Sequence, residues 1–188
     1  MPKYLGALTI VLLLAMVLTR VFLLKRQRID AMKFGGIDKT DFLIPPFAFF
    51  YFYVLFAATF DWPNVSKGQL FHSEPAAWIG VLFCFAGLAA LLWSLISFGR
   101  SFRIGIDIDR PDALIVDGIF AFSRNPIYVA FAIILFGEFL IFANWISLIY
   151  LVAAVWLMHR QVLREEAYLK TQYGPAYQQY CHRVRRYL

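Results

Sequence analysis

Residues 124–158 read RNPIYVAFAIILFGEFLIFANWISLIYLVAAVWLM, and they decide the fold of this 188-residue chain. An apolar run from Ile127 to Ala143 is followed by Asn144 and Trp145, and a second apolar run then extends from Ile146 to Met158. A single helix over the whole stretch would be longer than a hydrocarbon core of about 30 Å requires. We therefore predict a hairpin of two helices that turns at the Asn-Trp pair.

The composition of the whole chain is that of a membrane protein. Hydrophobic residues make up 61% of the chain, charged residues make up 16%, and the mean hydropathy is +0.65. An ordinary soluble domain is about half apolar and about a quarter charged, so this chain lacks the polar surface of a water-exposed globule. The net charge of +6 is spread over short clusters between apolar runs, which argues against a nucleic-acid partner.

Three further apolar runs precede the hairpin, and each is about 20 residues long, enough to cross a bilayer as a helix. They are Tyr4 to Leu24, Phe42 to Phe60, with Pro45 and Pro46 predicted to kink its start, and Ala76 to Phe98. With the hairpin they predict an all-α, polytopic membrane helix bundle of about five transmembrane helices. Past His159 the pattern becomes amphipathic, which predicts a tail that lies along a membrane surface or against the chain's own loop.

The 18 Lys and Arg residues predict the orientation of the bundle. Fifteen of them lie in residues 25–41, 99–126 and 159–188, and only two lie on the other side. Because cytoplasmic loops carry the excess of Lys and Arg, we expect the C-terminus in the cytoplasm and the N-terminus outside. The remaining one, Arg20, lies inside the first apolar run and is expected to reach towards the lipid head groups.

Polar residues gather at three places on the predicted cytoplasmic side. These are the loop at 99–125, the segment from Arg124 to Tyr128, and the triplet at 164–166. A hairpin that rises along one arm and returns along the other brings Tyr128 and Glu165 to the same membrane depth, although 37 positions separate them. We expect these two side chains to be neighbours in a candidate active site, since loops on a rigid scaffold usually carry the chemistry.

An ordered set of motifs runs through the second half of the chain. It comprises LIVDGIF at 114–120, SRNPIY at 123–128, the hydrophobic hairpin, REE at 164–166, and Tyr-Gly-x-x-Tyr-x-x-Tyr from Tyr173 to Tyr180. Over residues 99–188 this set resembles the isoprenylcysteine carboxyl methyltransferase and phospholipid methyltransferase family of integral membrane enzymes. The resemblance implies methyl transfer from S-adenosylmethionine, held in a pocket open to the cytoplasm, to a lipid-like or prenylated acceptor that enters through the membrane.

The resemblance also assigns roles to individual residues. It implies cofactor contacts at Ala113, Leu114, Ile115, Phe120, Asn125, Pro126, Tyr128 and Glu165. A sulfonium cofactor needs an acidic acceptor, backbone donors and aromatic faces, which Glu165, the first N–H groups of the fourth span and two aromatic rings supply. Arg124, Arg160 and Arg164 are the candidate catalytic residues, the last two because a carboxylate acceptor needs a nearby cation.

The resemblance divides the chain into an N-terminal three-span part, residues 1–98, and a cofactor-binding catalytic part, residues 99–188, that contains the hairpin at 127–158. The acceptor stays open between a carboxylate on a lipidated thiol and the amine of a phospholipid head group. Two other functions also stay open. One is a membrane NADPH-dependent reductase of the sterol type, and the other is a non-catalytic scaffold or transporter.

Two further features bear on metals and on buried charge. The three histidines are scattered, and the run Asp107, Asp109, Asp112 lacks the glycine and the glutamate of a calcium loop, so no metal is expected. Glu138 lies within a span, where ionisable residues are expensive and usually functional. A helix-packing role or a wet interface near the external end explains Glu138 equally well.

Overall fold

A computed structural model describes residues 1–27, 44–62, 68–99 and 114–188 of the chain. Within these residues the chain forms five α-helices and one short 3-10 helix, and no β-strand beyond one isolated bridge. The helices are α1 Pro2–Arg26, α2 Ile44–Thr59, α3 Glu74–Phe98, the 3-10 helix η1 Gly118–Ala121, α4 Pro126–Phe142 and α5 Trp145–Arg183. The predicted all-α helix bundle is confirmed.

Three of the described helices, α1, α3 and α5, are long and apolar enough to cross a membrane. The other two are shorter, with 16 residues in α2 and 17 in α4. At 1.5 Å per residue these two are about 25 Å long, slightly less than a typical hydrocarbon core. The protein is a multi-pass membrane protein.

The predicted turn between the last two helices is confirmed, and a capping box forms it. The Asn144 side chain accepts a hydrogen bond from the Ser147 backbone N–H at 2.8 Å, and the Ser147 hydroxyl lies 3.2 Å from the Asn144 backbone N–H. These two bonds satisfy N–H groups that the first turn of a helix leaves without partners. Ala143, with φ of 29°, completes the reversal between α4 and α5.

The start of α2 differs from the kinked span that the sequence suggested. The helix begins at Ile44, so Pro45 and Pro46 both lie in its first turn. Proline fits there because the first N–H groups of a helix have no intrahelical acceptor. The two prolines therefore begin the helix, and residues 42 and 43 of the predicted run lie outside the described residues.

Helices α3 and α4 pack backbone to backbone through glycines. A Cβ atom added to Gly80 would lie 2.5 Å from the Gly137 carbonyl oxygen, and one added to Gly137 would lie 2.6 Å from the Gly80 carbonyl oxygen. Further along the same pair, a Cβ at Gly87 would lie 2.5 Å from Ile134. Small residues allow such close approach between membrane helices, where van der Waals packing replaces the hydrophobic effect.

One end of the bundle, which we call the polar end, is formed by the last turns of α1 and α3 and the first turn of α4. A buried cluster of Leu24, Leu91, Leu95 and Ala130 holds these three turns together. The opposite end is where α4 turns into α5. The path of α5 therefore leads from that opposite end back to the polar end.

The predicted amphipathic tail is the continuation of α5. This helix runs unbroken past His159 to Gly174, which has φ of 51° and is followed by Pro175, and the chain changes direction there. The last helical residues then return to the segment before α4, where the Tyr180 hydroxyl donates to the Phe120 carbonyl at 2.6 Å. Of the two predicted positions for the tail, the structure shows the one against the chain's own loop.

Candidate active site

Tyr128 and Glu165 meet at the polar end, as the hairpin predicts. The Tyr128 hydroxyl donates to Glu165 Oε1 at 2.6 Å, and Gln161, one turn earlier on α5, donates to the same oxygen from Nε2 at 3.1 Å. Both donors lie on helices, so the carboxylate is held by rigid elements. The two arms of the hairpin are therefore joined by a hydrogen bond to a partly buried acid.

The next residue, Glu166, is the centre of a second network. Its Oε1 accepts hydrogen bonds from Arg124 Nε at 3.1 Å, from Arg124 Nη2 at 3.0 Å and from Asn125 Nδ2 at 3.1 Å. Its Oε2 accepts from Arg186 Nε at 2.9 Å. The side chains of Arg124 and Glu166 are each only 11% exposed, so this ion pair is largely removed from water.

Arg124 links three parts of the chain. Besides Glu166, its Nη1 donates to the carbonyls of Cys181 at 3.2 Å and Val184 at 3.0 Å, at the end of α5. Burial by itself would lower the pKa of Arg124, but the hydrogen bonds and the charge of Glu166 raise it above its ordinary value. The guanidinium therefore stays charged and neutralises the negative end of the helix dipole.

The final residues of the chain complete this network. The Arg185 carbonyl accepts from the Arg124 backbone N–H at 3.0 Å, and the Arg186 carbonyl accepts from Asn125 Nδ2 at 3.1 Å. The Tyr187 hydroxyl lies 2.7 Å from His159 Nδ1, back on α5. The pKa of Tyr187 is raised, first by burial, and the positive charge of Arg186 opposes that rise.

The segment with the predicted cofactor contacts is only partly described. Ala113 lies outside the described residues, whereas Leu114 and Ile115 are half-buried just before η1. Phe120, in η1, is buried, and its ring packs edge-on against the ring of Phe98 with centroids 4.9 Å apart. Gly118 begins η1 with φ of 63°, a conformation that favours glycine.

The remaining predicted residues are distributed as follows. Asn125 is buried at the start of α4, and its side chain faces Glu166 rather than capping the helix. Pro126 is buried in the first turn of α4. On α5, Arg160 is exposed and Arg164 is half-buried. The structure thus joins Tyr128 to Glu165 directly, and joins Arg124 and Asn125 through Glu166.

Sequence reasoning missed Glu166 and Arg186 as members of the site. In the sequence, Glu166 stands out only as part of the REE motif, and Arg186 only as one of the predicted cytoplasmic charges. A usable signal was present, because adjacent helical residues point about 100° apart and two neighbouring acids therefore face different partners. No group of three or more His, Cys, Asp or Glu side chains in the described parts of the chain is arranged to hold a metal ion.

The fold and the site define a class, a multi-pass helical membrane protein with a hydrogen-bonded polar site at one end of its bundle. Comparison with known families identifies the class more closely. The phospholipid methyltransferase family matches residues 75–176, which is more than half of the chain, and the protein belongs to this family. This confirms the resemblance drawn from the motifs.

Two curated relatives agree with that assignment. Protein-S-isoprenylcysteine O-methyltransferase of Schizosaccharomyces pombe is 31% identical over 94 residues, covering 48% of this chain and 40% of the relative. Protein-S-isoprenylcysteine O-methyltransferase B of Arabidopsis thaliana is 34% identical over 94 residues, covering 48% of each. Each match therefore spans less than half of the relative's length.

Proposed function

We propose that this protein is an integral membrane methyltransferase that moves a methyl group from S-adenosylmethionine to an amphipathic acceptor. Membership of the phospholipid methyltransferase family supports methyl transfer, and the two relatives are named as O-methyltransferases. The observation that carries the proposal is the hydrogen bond between Tyr128 and Glu165. It lies within the family match, at the polar end, and joins both arms of the hairpin.

The donor and acceptor groups of the site suit S-adenosylmethionine. Glu165 offers a carboxylate to the ammonium of the cofactor, and its orientation is fixed by Tyr128 and Gln161. The ring of Tyr128 suits a sulfonium cation, and the N-terminus of α4 suits a carboxylate because the start of a helix favours negative charge. The other proposed cofactor contacts are Ala113, Leu114, Ile115, Phe120, Asn125 and Pro126.

When bound, this cofactor would supply an electrophilic methyl group for an acceptor oxygen or nitrogen. A carboxylate acceptor is already deprotonated and needs no base, whereas an amine acceptor must lose a proton, which water can accept as the base. The task of the protein is then to align the two partners and exclude water. A rigid carboxylate anchor on α5 suits that task.

Arg124 and Asn125 receive a positioning role in this proposal. Their side chains are engaged with Glu166 and with carbonyls near the end of the chain. They hold the segment before α4 against the tail, and so fix the place from which Tyr128 projects. Arg160 and Arg164 stay candidate catalytic residues, from the face of α5 beside Gln161 and Glu165.

The acceptor is proposed to be either a prenylated cysteine carboxylate or the amine of a phospholipid head group. The names of the relatives favour the first and the family description favours the second. We further propose that residues 99–188 carry the cofactor site and residues 1–98 complete the bundle. The polar end then faces the cytoplasm, as the Lys and Arg distribution favours.

Methyl transfer can be tested on the purified protein in nanodiscs, with radiolabelled S-adenosylmethionine and a membrane lipid extract. We expect a labelled lipid product, whose chemical identity shows whether oxygen or nitrogen was methylated. Tyr128→Phe removes the hydroxyl that holds Glu165, and we expect it to lower the rate about tenfold or more, as the loss of a charge-assisted hydrogen bond implies.

The matched control is Tyr53→Phe, because Tyr53 lies on α2 and is 54% exposed on the outer face of the bundle. It should leave the rate unchanged. A wild-type protein that labels no lipid in the extract, or equal rates in both Tyr→Phe variants, would contradict the proposal.

A further inference from the structure

Arg20 is a charged residue inside the apolar helix α1, six residues before that helix ends at Arg26. Placing a charged side chain within a membrane-spanning helix costs free energy, and such residues usually serve a function. Arg20 lies outside residues 75–176, so the family match assigns it no role. Its guanidinium extends across the bundle, where Nη2 donates to the carbonyl of Gly99, the residue that ends α3.

The neighbours of Arg20 place it at the polar end. Met16, Val17 and Leu24 lie three or four positions away on the same face of α1, where Leu24 belongs to the buried cluster of the polar end and the other two pack against it. Phe98 of α3 and Ile127 of α4 pack against the same cluster. Since Tyr128 follows Ile127 in the first turn of α4, Arg20 lies at the same end of the bundle as the candidate active site.

The hydrogen-bond donors of Arg20 are only partly used. A guanidinium has five N–H donors, and Arg20 Nε is buried without a hydrogen-bond partner among the described residues. The two arginines of the Glu166 network are already engaged by that carboxylate. Arg20 is therefore a half-buried positive charge with an N–H donor that is not yet used, and it projects from the helix bundle rather than from the tail.

The N–H groups of a planar guanidinium have the geometry to bind two oxygens of a carboxylate or a phosphate. Such charge-assisted hydrogen bonds are about twice as strong as hydrogen bonds between neutral groups. Both proposed acceptors carry such an oxyanion beside an apolar tail. In a prenylated cysteine it is the carboxylate, and in a phospholipid it is the phosphate next to the amine. An acceptor that enters between helices would bring its oxyanion to the polar end while its tail stays in lipid.

We propose that Arg20 binds the oxyanion of the acceptor at the polar end of the bundle. The inference rests on the proposed methyltransferase function and adds to it a substrate-binding residue from α1. Gly99 holds the guanidinium in place through Nη2, and the remaining donors face the acceptor. The shared chemistry is an oxyanion on an amphipathic molecule, and the choice of acceptor decides which oxyanion it is.

The test uses wild-type protein, Arg20→Gln and Arg20→Lys in phosphatidylcholine nanodiscs. One arm varies N-acetyl-S-farnesylcysteine and the other varies the phosphatidylethanolamine content, and both record the methylation rate and the affinity for S-adenosylhomocysteine. In the arm whose acceptor the wild-type protein methylates, we expect Arg20→Gln to raise the acceptor KM about tenfold or more and to leave S-adenosylhomocysteine binding unchanged. Arg20→Lys should restore part of the loss. The control is Lys25→Gln, which removes an exposed positive charge from the last turn of α1. It should change neither the acceptor KM nor the affinity for S-adenosylhomocysteine.

A binding comparison separates charge recognition from a purely structural role. Wild-type protein should bind the farnesylcysteine acid more tightly than its methyl ester, or, in the other arm, phosphatidylethanolamine more tightly than diacylglycerol, and Arg20→Gln should lose that preference. An unchanged acceptor KM in Arg20→Gln, or a preference that survives the substitution, overturns the inference. If wild-type protein prefers the oxyanion but binds no S-adenosylhomocysteine, the proposed function fails and the role of Arg20 stands.

Discussion

Glu165 and Glu166 are adjacent in the chain but hold different partners. Glu165 accepts a hydrogen bond from the hydroxyl of Tyr128. Glu166 accepts hydrogen bonds from Arg124, Asn125 and Arg186. The first acid joins the two arms of the hairpin, and the second ties the segment before α4 to the end of the chain. We therefore expect substitutions of the two acids to have separable effects, on cofactor binding for Glu165 and on stability for Glu166.

Glu166→Gln tests the structural half of that division. The substitution keeps the shape of the side chain but leaves Arg124 without its charge partner in a site that is only 11% exposed. Breaking a buried ion pair by removing one partner costs about 3 kcal/mol or more. We expect a Tm several degrees lower, measured by thermal unfolding in detergent. Glu74→Gln, at an exposed position in the first turn of α3, is the control, and equal Tm values in the two variants would count against the network.

Glu138 is a buried acid on α4 with no role in the proposed site. It is 0% exposed, neither of its oxygens has a hydrogen-bond partner among the described residues, and it lies ten positions from Tyr128, about 15 Å along the helix. Burying an amide costs less than burying a carboxylate. We expect Glu138→Gln to keep the methylation rate and to leave the Tm equal or higher. A lost rate with an intact fold would show that Glu138 takes part in the reaction.

At the scale of elements, the contact between α3 and α4 determines the geometry of the bundle. Gly137→Ala places a methyl group 2.6 Å from the Gly80 carbonyl, so the two helices must move apart. Overpacking of this kind costs about 1–3 kcal/mol. We expect a lower Tm and a lower methylation rate, because α4 carries Tyr128. Ala86→Val, which adds bulk to an exposed position of α3, is the control. A Tm for Gly137→Ala that stays at the wild-type value would contradict the close packing.

The elements also show what the sequence can and cannot predict. The hairpin turn could be predicted because its signals are local, with Asn144 capping α5 between two apolar runs. The contact between Tyr128 and Glu165 could be predicted because the two arms of the hairpin have similar lengths. The path of the tail stayed open between a membrane surface and the chain's own loop, because its direction depends on Gly174 and on which of several arginines reaches Glu166. Such long-range pairings depend on tertiary packing, which periodicity does not report.

On the scale of the whole molecule, the described residues separate an apolar body from the polar end that carries the candidate active site. The body is held by close helix packing, and the polar end is held by Glu166 and the last residues of the chain. Sequence reasoning found most of this division because apolar runs and charge clusters alternate along the chain. The catalytic role that the sequence predicts for Arg124 stays a prediction, and the positioning role is our proposal from its hydrogen bonds to Glu166 and to carbonyls near the end of α5.

The measurement that tests the central claim most directly is calorimetric titration of S-adenosylhomocysteine into the protein in nanodiscs. We predict that the wild-type protein binds it, that Glu165→Gln weakens binding about tenfold or more, and that Glu74→Gln does not change it. NADPH should not bind. Equal affinities in the wild-type and Glu165→Gln proteins would contradict the assigned site, and tight binding of NADPH without S-adenosylhomocysteine would contradict a methyltransferase.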